Sequence, residues 1–82
     1  MDKSNLLERI VADPKVMVGK PVIQGTRLTV QFILGLLAQG LSIEEILQEY
    51  ESLTREDILA CLLFAKEALE NTDFAPLTAE GN

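Results

Sequence analysis

The chain has no histidine and no tryptophan, one cysteine (Cys61) and one tyrosine (Tyr50). Each shortage removes a class of chemistry. Without histidine, the usual zinc sites and most general-base catalysis near neutral pH lose their principal side chain. A lone cysteine excludes an internal disulfide and any cysteine-rich metal site. The longest uninterrupted runs of apolar residues and glycine, residues 32–38 and 58–65, fall far short of the roughly 20 residues that cross a bilayer. The opening "MDKSNLLERI" lacks the basic start and long apolar core of a secretory signal. A cytoplasmic protein without a membrane segment is the expectation.

What is present is the composition of a folded domain, 48% apolar and 24% charged over 82 residues, rather than that of a disordered chain. A domain of this size buries only about 60% of the surface that its unfolded chain exposes, so self-association would help it. The net charge of −6 is unevenly spread. Residues 1–27 carry five basic side chains (Lys3, Arg9, Lys15, Lys20, Arg27) against three acidic ones, whereas residues 28–82 carry two against ten. A mildly basic front precedes a strongly acidic body.

The front reads as short extended pieces: "RIVAD", "VMV" and, after Gly19, "PVI". Pro21 has no amide hydrogen for a ladder, which puts "PVI" at a sheet edge or strand start. From Thr29 onward the periodicity is helical. Val30, Ile33, Leu34 and Leu37 predict a first helix over about 30–39 ended by Gly40, with Phe32 and Leu36 as a second apolar stripe that asks for cover. Two capped starts follow. Ser42 with Glu45 opens a helix over about 43–49 that buries Ile43, Ile46, Leu47 and Tyr50. Thr54 with Asp57 opens another over about 55–71, expected to bury Ile58, Leu62, Ala65 and Leu69 with Leu59 and Leu63 alongside. The fold class is therefore mainly α, a trihelical, helix-turn-helix-like core with a short N-terminal β element over about 9–29. One domain spans residues 1–72, and the proline- and glycine-containing stretch 73–82 is expected to be a loosely ordered tail.

The segment "GKPVIQGTR", residues 19–27, is the least ordinary. It is not a P-loop, because Lys20 directly follows the first glycine and "GTR" closes the segment. No histidine is available to activate Thr26, Thr29 or Ser42, so no cofactor, metal or small-molecule reaction is expected. Glu44, Glu45, Glu49, Glu51, Glu56 and Asp57 read as helix-dipole acids or solvated faces, without the alternating spacing of a calcium loop. Cys61 reads as a buried thiol, and Tyr50 and Phe64 as core. A third helix that starts Arg55-Glu56-Asp57 brings carboxylates toward any DNA phosphate, so nucleic-acid contact would run through the basic strands and be weak.

"GKPVIQGTRLTV" followed by "ILGLLAQGLSIEEILQEYESLTREDILACLLFA" resembles the domain-of-unknown-function 433 family of small bacterial and archaeal proteins. The likeness covers roughly residues 9–65. Gly19, Lys20, Pro21, Ile23, Gly25, Thr26 and Arg27 carry its first part, and Gly40, Glu44, Glu45, Ile46, Tyr50, Leu53 and Thr54 its second. Glu51 stands where family members commonly have proline. The resemblance implies a homeodomain-like fold, often dimeric, and a VapB-like antitoxin that neutralises a nuclease of PIN type and represses its own operon. On that basis the candidate binding residues are Lys20, Arg27, Gly19, Gly25, Thr26 and Arg9, and the expected partners are a PIN-like toxin and a second copy of the chain, meeting through the first helix or the N-terminal strands. The glycines equally fit a structural frame, and Lys20 and Arg27 fit an acidic protein surface or DNA phosphates. A stand-alone transcriptional regulator and a structural oligomerisation module are the alternatives.

Overall fold

The structure is a computed structural model and describes residues 3–12, 14–15 and 17–70; the expected tail over 73–82 lies outside those residues. It is mainly helical, with a small two-stranded sheet near the N-terminus. The order is α1 (Lys3–Leu7), β1 (Ile10–Val11), a 3-10 turn (Met17–Gly19), β2 (Val22–Ile23), α2 (Val30–Ala38), α3 (Ile43–Glu49) and α4 (Arg55–Glu70).

The three long helices begin where side-chain caps place them. Thr29 Oγ1 accepts from the Phe32 amide at 3.0 Å to start α2. Ser42 and Glu45 close a reciprocal box at α3: Ser42 Oγ accepts from the Glu45 amide at 3.1 Å, and Glu45 Oε1 accepts from the Ser42 amide at 2.8 Å. Thr54 and Asp57 repeat it at α4, where the shorter Asp57 carboxylate still accepts from the Thr54 amide at 2.9 Å. Each box satisfies two amides that a helix N-terminus leaves unpaired. At the other end of α2, Leu41 donates to Leu36 O and Gly40 to Leu37 O. This pair of bonds is a Schellman motif, and it needs the left-handed φ of +101° that Gly40 supplies.

The core lies where α2, α3 and α4 meet β2. Ile23, Val30, Ile33, Ile46, Leu53, Ile58 and Cys61 form one buried cluster, and each fully buried isoleucine contributes on the order of 2–3 kcal/mol of burial energy. The second stripe of α2 is covered only in part inside the chain, with Phe32 still 41% exposed. Phe32 packs edge-on to Tyr50, with ring centroids 5.8 Å apart, and Leu36 lies half-buried against the core.

One element is added and two local expectations give way. Residues 3–7 are helical: α1 packs on α4, and a five-residue helix owes its existence to such packing rather than to its own propensity. The "VMV" stretch is not extended over Met17–Gly19, because Val18 (φ 55°, ψ 40°) and Gly19 (φ +79°) both adopt left-handed backbone. Finally, α4 buries only part of its expected face, Ile58 but not Leu62 or Leu69. Its buried residues are Asp57, Ile58, Ala60 and Cys61, whereas Leu62 and Leu69 are exposed.

Candidate partner-binding surface

Residues 19–29 form a braced hairpin between β1 and the start of α2. β2 pairs antiparallel with β1, Ile23 opposite Ile10 and Val22 opposite Val11. On its other side, Ile23 donates to Leu28 O at 3.0 Å and Val30 donates to Pro21 O at 3.0 Å, with Val22 bridging to Thr29. Proline at 21 therefore contributes its carbonyl and lacks only the hydrogen that no partner needs. The tip is a four-residue turn in which the Thr26 amide donates to Ile23 O at 3.0 Å. Gly25 sits at its third position with φ +84°, the conformation of a type II turn that glycine adopts without strain. The Thr26 hydroxyl locks both arms, donating to Ile23 O at 2.8 Å and accepting from the Leu28 amide at 3.0 Å.

This frame sorts the six candidate residues. Gly19, Gly25 and Thr26 shape the backbone. Arg9 works inside the fold: its guanidinium donates to Asp57 Oδ1 at 3.1 Å, and its carbonyl accepts from the Gln24 amide at 2.7 Å. It thus ties the start of α4 to the hairpin tip. Lys20 and Arg27 are exposed and enter no ion pair among the described residues, unlike Arg9, Arg55 and Lys66, which face Asp57, Glu44 and Glu70 respectively. Beside Arg27 runs an open groove of about 230 Å³ lined by Leu28, Thr29 and Phe32.

Two residues escaped the sequence reading. Asp57, read as the capping partner of Thr54 and as a helix-dipole or solvated acid, caps α4 as read but is only 7% exposed; its ion-pair partner stands 48 positions away, beyond any local pattern. Phe32, read as a stripe in need of cover, also walls the groove beside Arg27, and its spacing of five from Arg27 carries no periodic signal. The acids Glu44, Glu45, Glu49 and Glu51 are exposed as expected. Among the described residues no group of three or more His, Cys, Asp or Glu side chains is placed to hold a metal ion, and no helix is long and apolar enough to cross a membrane. Burial, with the nearby Asp57 charge as the lesser cause, pushes the Cys61 thiol up to about 12. It stays protonated at neutral pH and is a poor nucleophile.

The hairpin, α2, α3 and the first part of α4 lie within the stretch matched by a family model. The model for "Protein of unknown function (DUF433)" matches residues 10–65. The chain belongs to the DUF433 family. It is 32% identical over 59 residues to the uncharacterized protein y4eO of Sinorhizobium fredii, a match that covers 72% of this chain and 27% of that protein. It is also 71% identical over 24 residues to an uncharacterized protein of Archaeoglobus fulgidus, covering 29% of this chain and 67% of that one. The DUF433 chain therefore spans about a quarter of the length of the first relative and two thirds of the second. No solved structure matches it.

Proposed function

We propose that this DUF433 protein is a non-enzymatic cytoplasmic binding protein that presents Arg27 and Lys20 to an acidic surface of a partner protein. In its sharper form the reading is an antitoxin of a type II toxin–antitoxin system. The partner is then a PIN-like nuclease, whose cluster of metal-binding carboxylates an inserted arginine would pair with through a two-pronged, charge-assisted contact. The observation that carries the proposal is the pairing pattern: Arg27 stays exposed and, among the described residues, unpaired on a hairpin braced from both sides, in a chain of net charge −6 whose other arginines are matched to carboxylates. A rigid mount reduces the ordering cost of binding. Operator DNA, in this reading, is bound weakly or only with the toxin's help, since Arg55 at the start of α4 faces Glu44 at 3.4 Å and Glu56 follows it.

Co-expression with the neighbouring open reading frame tests the proposal. A co-purifying complex is expected that suppresses ribonuclease activity and that Arg27→Glu abolishes while leaving the helical circular dichroism unchanged. Full inhibition by the Arg27→Glu protein would sink the role assigned to Arg27, and operator binding by the lone protein would favour a stand-alone regulator.

A further inference from the structure

Among the described residues, Phe32 is the one aromatic side chain that the fold leaves exposed. It stands in the first turn of α2, where its amide donates to Thr29 Oγ1 and its ring is braced edge-on by Tyr50. That ring walls the groove of about 230 Å³ whose other lining residues are Arg27, Leu28 and Thr29. A cavity of about 150 Å³ is enough for a benzene ring, so the groove has room for one large side chain. Its lining joins a single cation to apolar walls and includes no carboxylate. The backbone beneath is held on both sides of the turn, with the Leu28 amide on the Thr26 hydroxyl and the Leu28 carbonyl on the Ile23 amide.

We infer that this groove is a composite recognition pocket, in which Phe32 and Leu28 seat an apolar side chain of a partner protein while Arg27 grips a carboxylate next to it. The inference rests on the acidic-partner reading of Arg27 and adds a second requirement to it: the partner segment carries a large apolar residue flanked by Asp or Glu. Charge selects this occupant. Arg27 faces no carboxylate among the described residues, whereas Arg9, Arg55 and Lys66 each have one, so the negative group that complements it comes from outside the chain. The apolar walls select the rest, because a side chain seated on Phe32 and Leu28 keeps water away from the neighbouring ion pair and strengthens it. A nucleic-acid strand presents phosphates in series and calls for several cations, and Arg27 is the only one that lines the groove. The pocket is also built before the partner arrives, since the turn, the cap of α2 and the Tyr50 ring hold its walls, and that lowers the ordering cost of binding. Phe32 is thereby a specificity-determining residue, and Arg27 alone does not define the partner.

Amide chemical shifts of the full chain, titrated with short peptides blocked at both ends, test the pocket. The probes are Glu-Phe-Glu, Glu-Ser-Glu and Gln-Phe-Gln. The first is expected to shift the Leu28, Thr29 and Phe32 amides in a saturable way. Each of the others should bind about ten-fold more weakly, one for want of a ring to bury and the other for want of a charged partner for Arg27. Phe32→Ala should erase the preference for phenylalanine over serine and keep that for glutamate over glutamine, and Arg27→Gln should do the reverse. The wild-type comparison of the three peptides needs no variant, so a folding defect in Phe32→Ala would not blunt it. Equal binding of the serine peptide overturns the pocket and leaves the acidic-partner reading standing, whereas equal binding of the glutamine peptide overturns both. Absence of a saturable shift with any peptide overturns the pocket, and co-purification then judges the acidic-partner reading by itself. Groove amides that move on dilution of the chain alone, or with duplex DNA and not with the peptides, also overturn it, because the groove would then belong to a second copy or to nucleic acid.

Discussion

Replacing Asp57 tests the tie that joins the N-terminal element to the helical core. The carboxylate is 7% exposed, with one oxygen on the Thr54 amide at 2.9 Å and the other on the Arg9 guanidinium at 3.1 Å. Asp57→Ala removes half of the α4 capping box, worth about 1 kcal/mol. It also removes the ion pair. Because the Arg9 side chain is 38% exposed and rehydrates when freed, that loss is held to about 1 kcal/mol. A total of about 2 kcal/mol is a large share of the roughly 4–12 kcal/mol that a chain of this length commands, and it should lower the melting temperature by about 8–16 °C. Arg9→Met keeps the aliphatic stem and should cost about 1 kcal/mol, with a coupling energy between the two sites close to 1 kcal/mol in a double-mutant cycle. Urea unfolding followed at 222 nm, at one fixed protein concentration, measures all three. A coupling energy indistinguishable from zero would refute the tie and leave Asp57 as a cap only.

Two further predictions concern single side chains. Cys61 is protonated in the fold up to about pH 12 against an ordinary value of 9.0, so its contribution is fully present below pH 9 and is lost as the pH rises from about 9 to 12, where the unfolded thiol ionises first; the urea midpoint should fall over that range in the wild type and fall less in Cys61→Ala, and parallel curves would contradict this. Val18 holds a left-handed backbone with a branched side chain that is 91% exposed; Val18→Asn should raise stability by about 1 kcal/mol, and a destabilised variant would show that the valine side chain makes a contact worth more than its strain.

The parts of the fold legible in the sequence are those written in short-range chemistry. The starts of α2, α3 and α4 fall where Thr29, Ser42 and Thr54 cap them, and the end of α2 falls at Gly40, because a cap and its partner lie three to five residues apart. The inward face of α4 was not legible. Ile58, Leu62, Ala65 and Leu69 form a regular stripe, of which Ile58 is buried as expected while Leu62 and Leu69 are exposed and Ala60 and Cys61 are buried instead, since the buried face depends on what α2 and β2 present and periodicity records only hydrophobicity. The helix α1 was hidden for a related reason: its support comes from α4, some fifty residues on. At the candidate site, the glycine turn was readable from Gly25, but the separation of Arg9 from Lys20 and Arg27 required the position of Asp57.

That separation changes what Arg9 does for any partner. Its side chain grips Asp57 at the start of α4, and its carbonyl accepts from Gln24, one residue from Gly25 in the turn that carries Arg27. A perturbation at Asp57 therefore reaches Arg27 through two consecutive contacts, without touching the exposed surface. If a rigid hairpin is what lowers the cost of binding, Asp57→Asn should weaken partner affinity in a protein that remains folded, chiefly through faster dissociation, and Arg27→Lys should weaken it through loss of the two-pronged contact. Kinetic binding measurements on the co-purified complex separate the two. Equal affinity for wild type and Asp57→Asn would mean that the partner itself orders the hairpin, and the bracing by β1 would then serve stability alone.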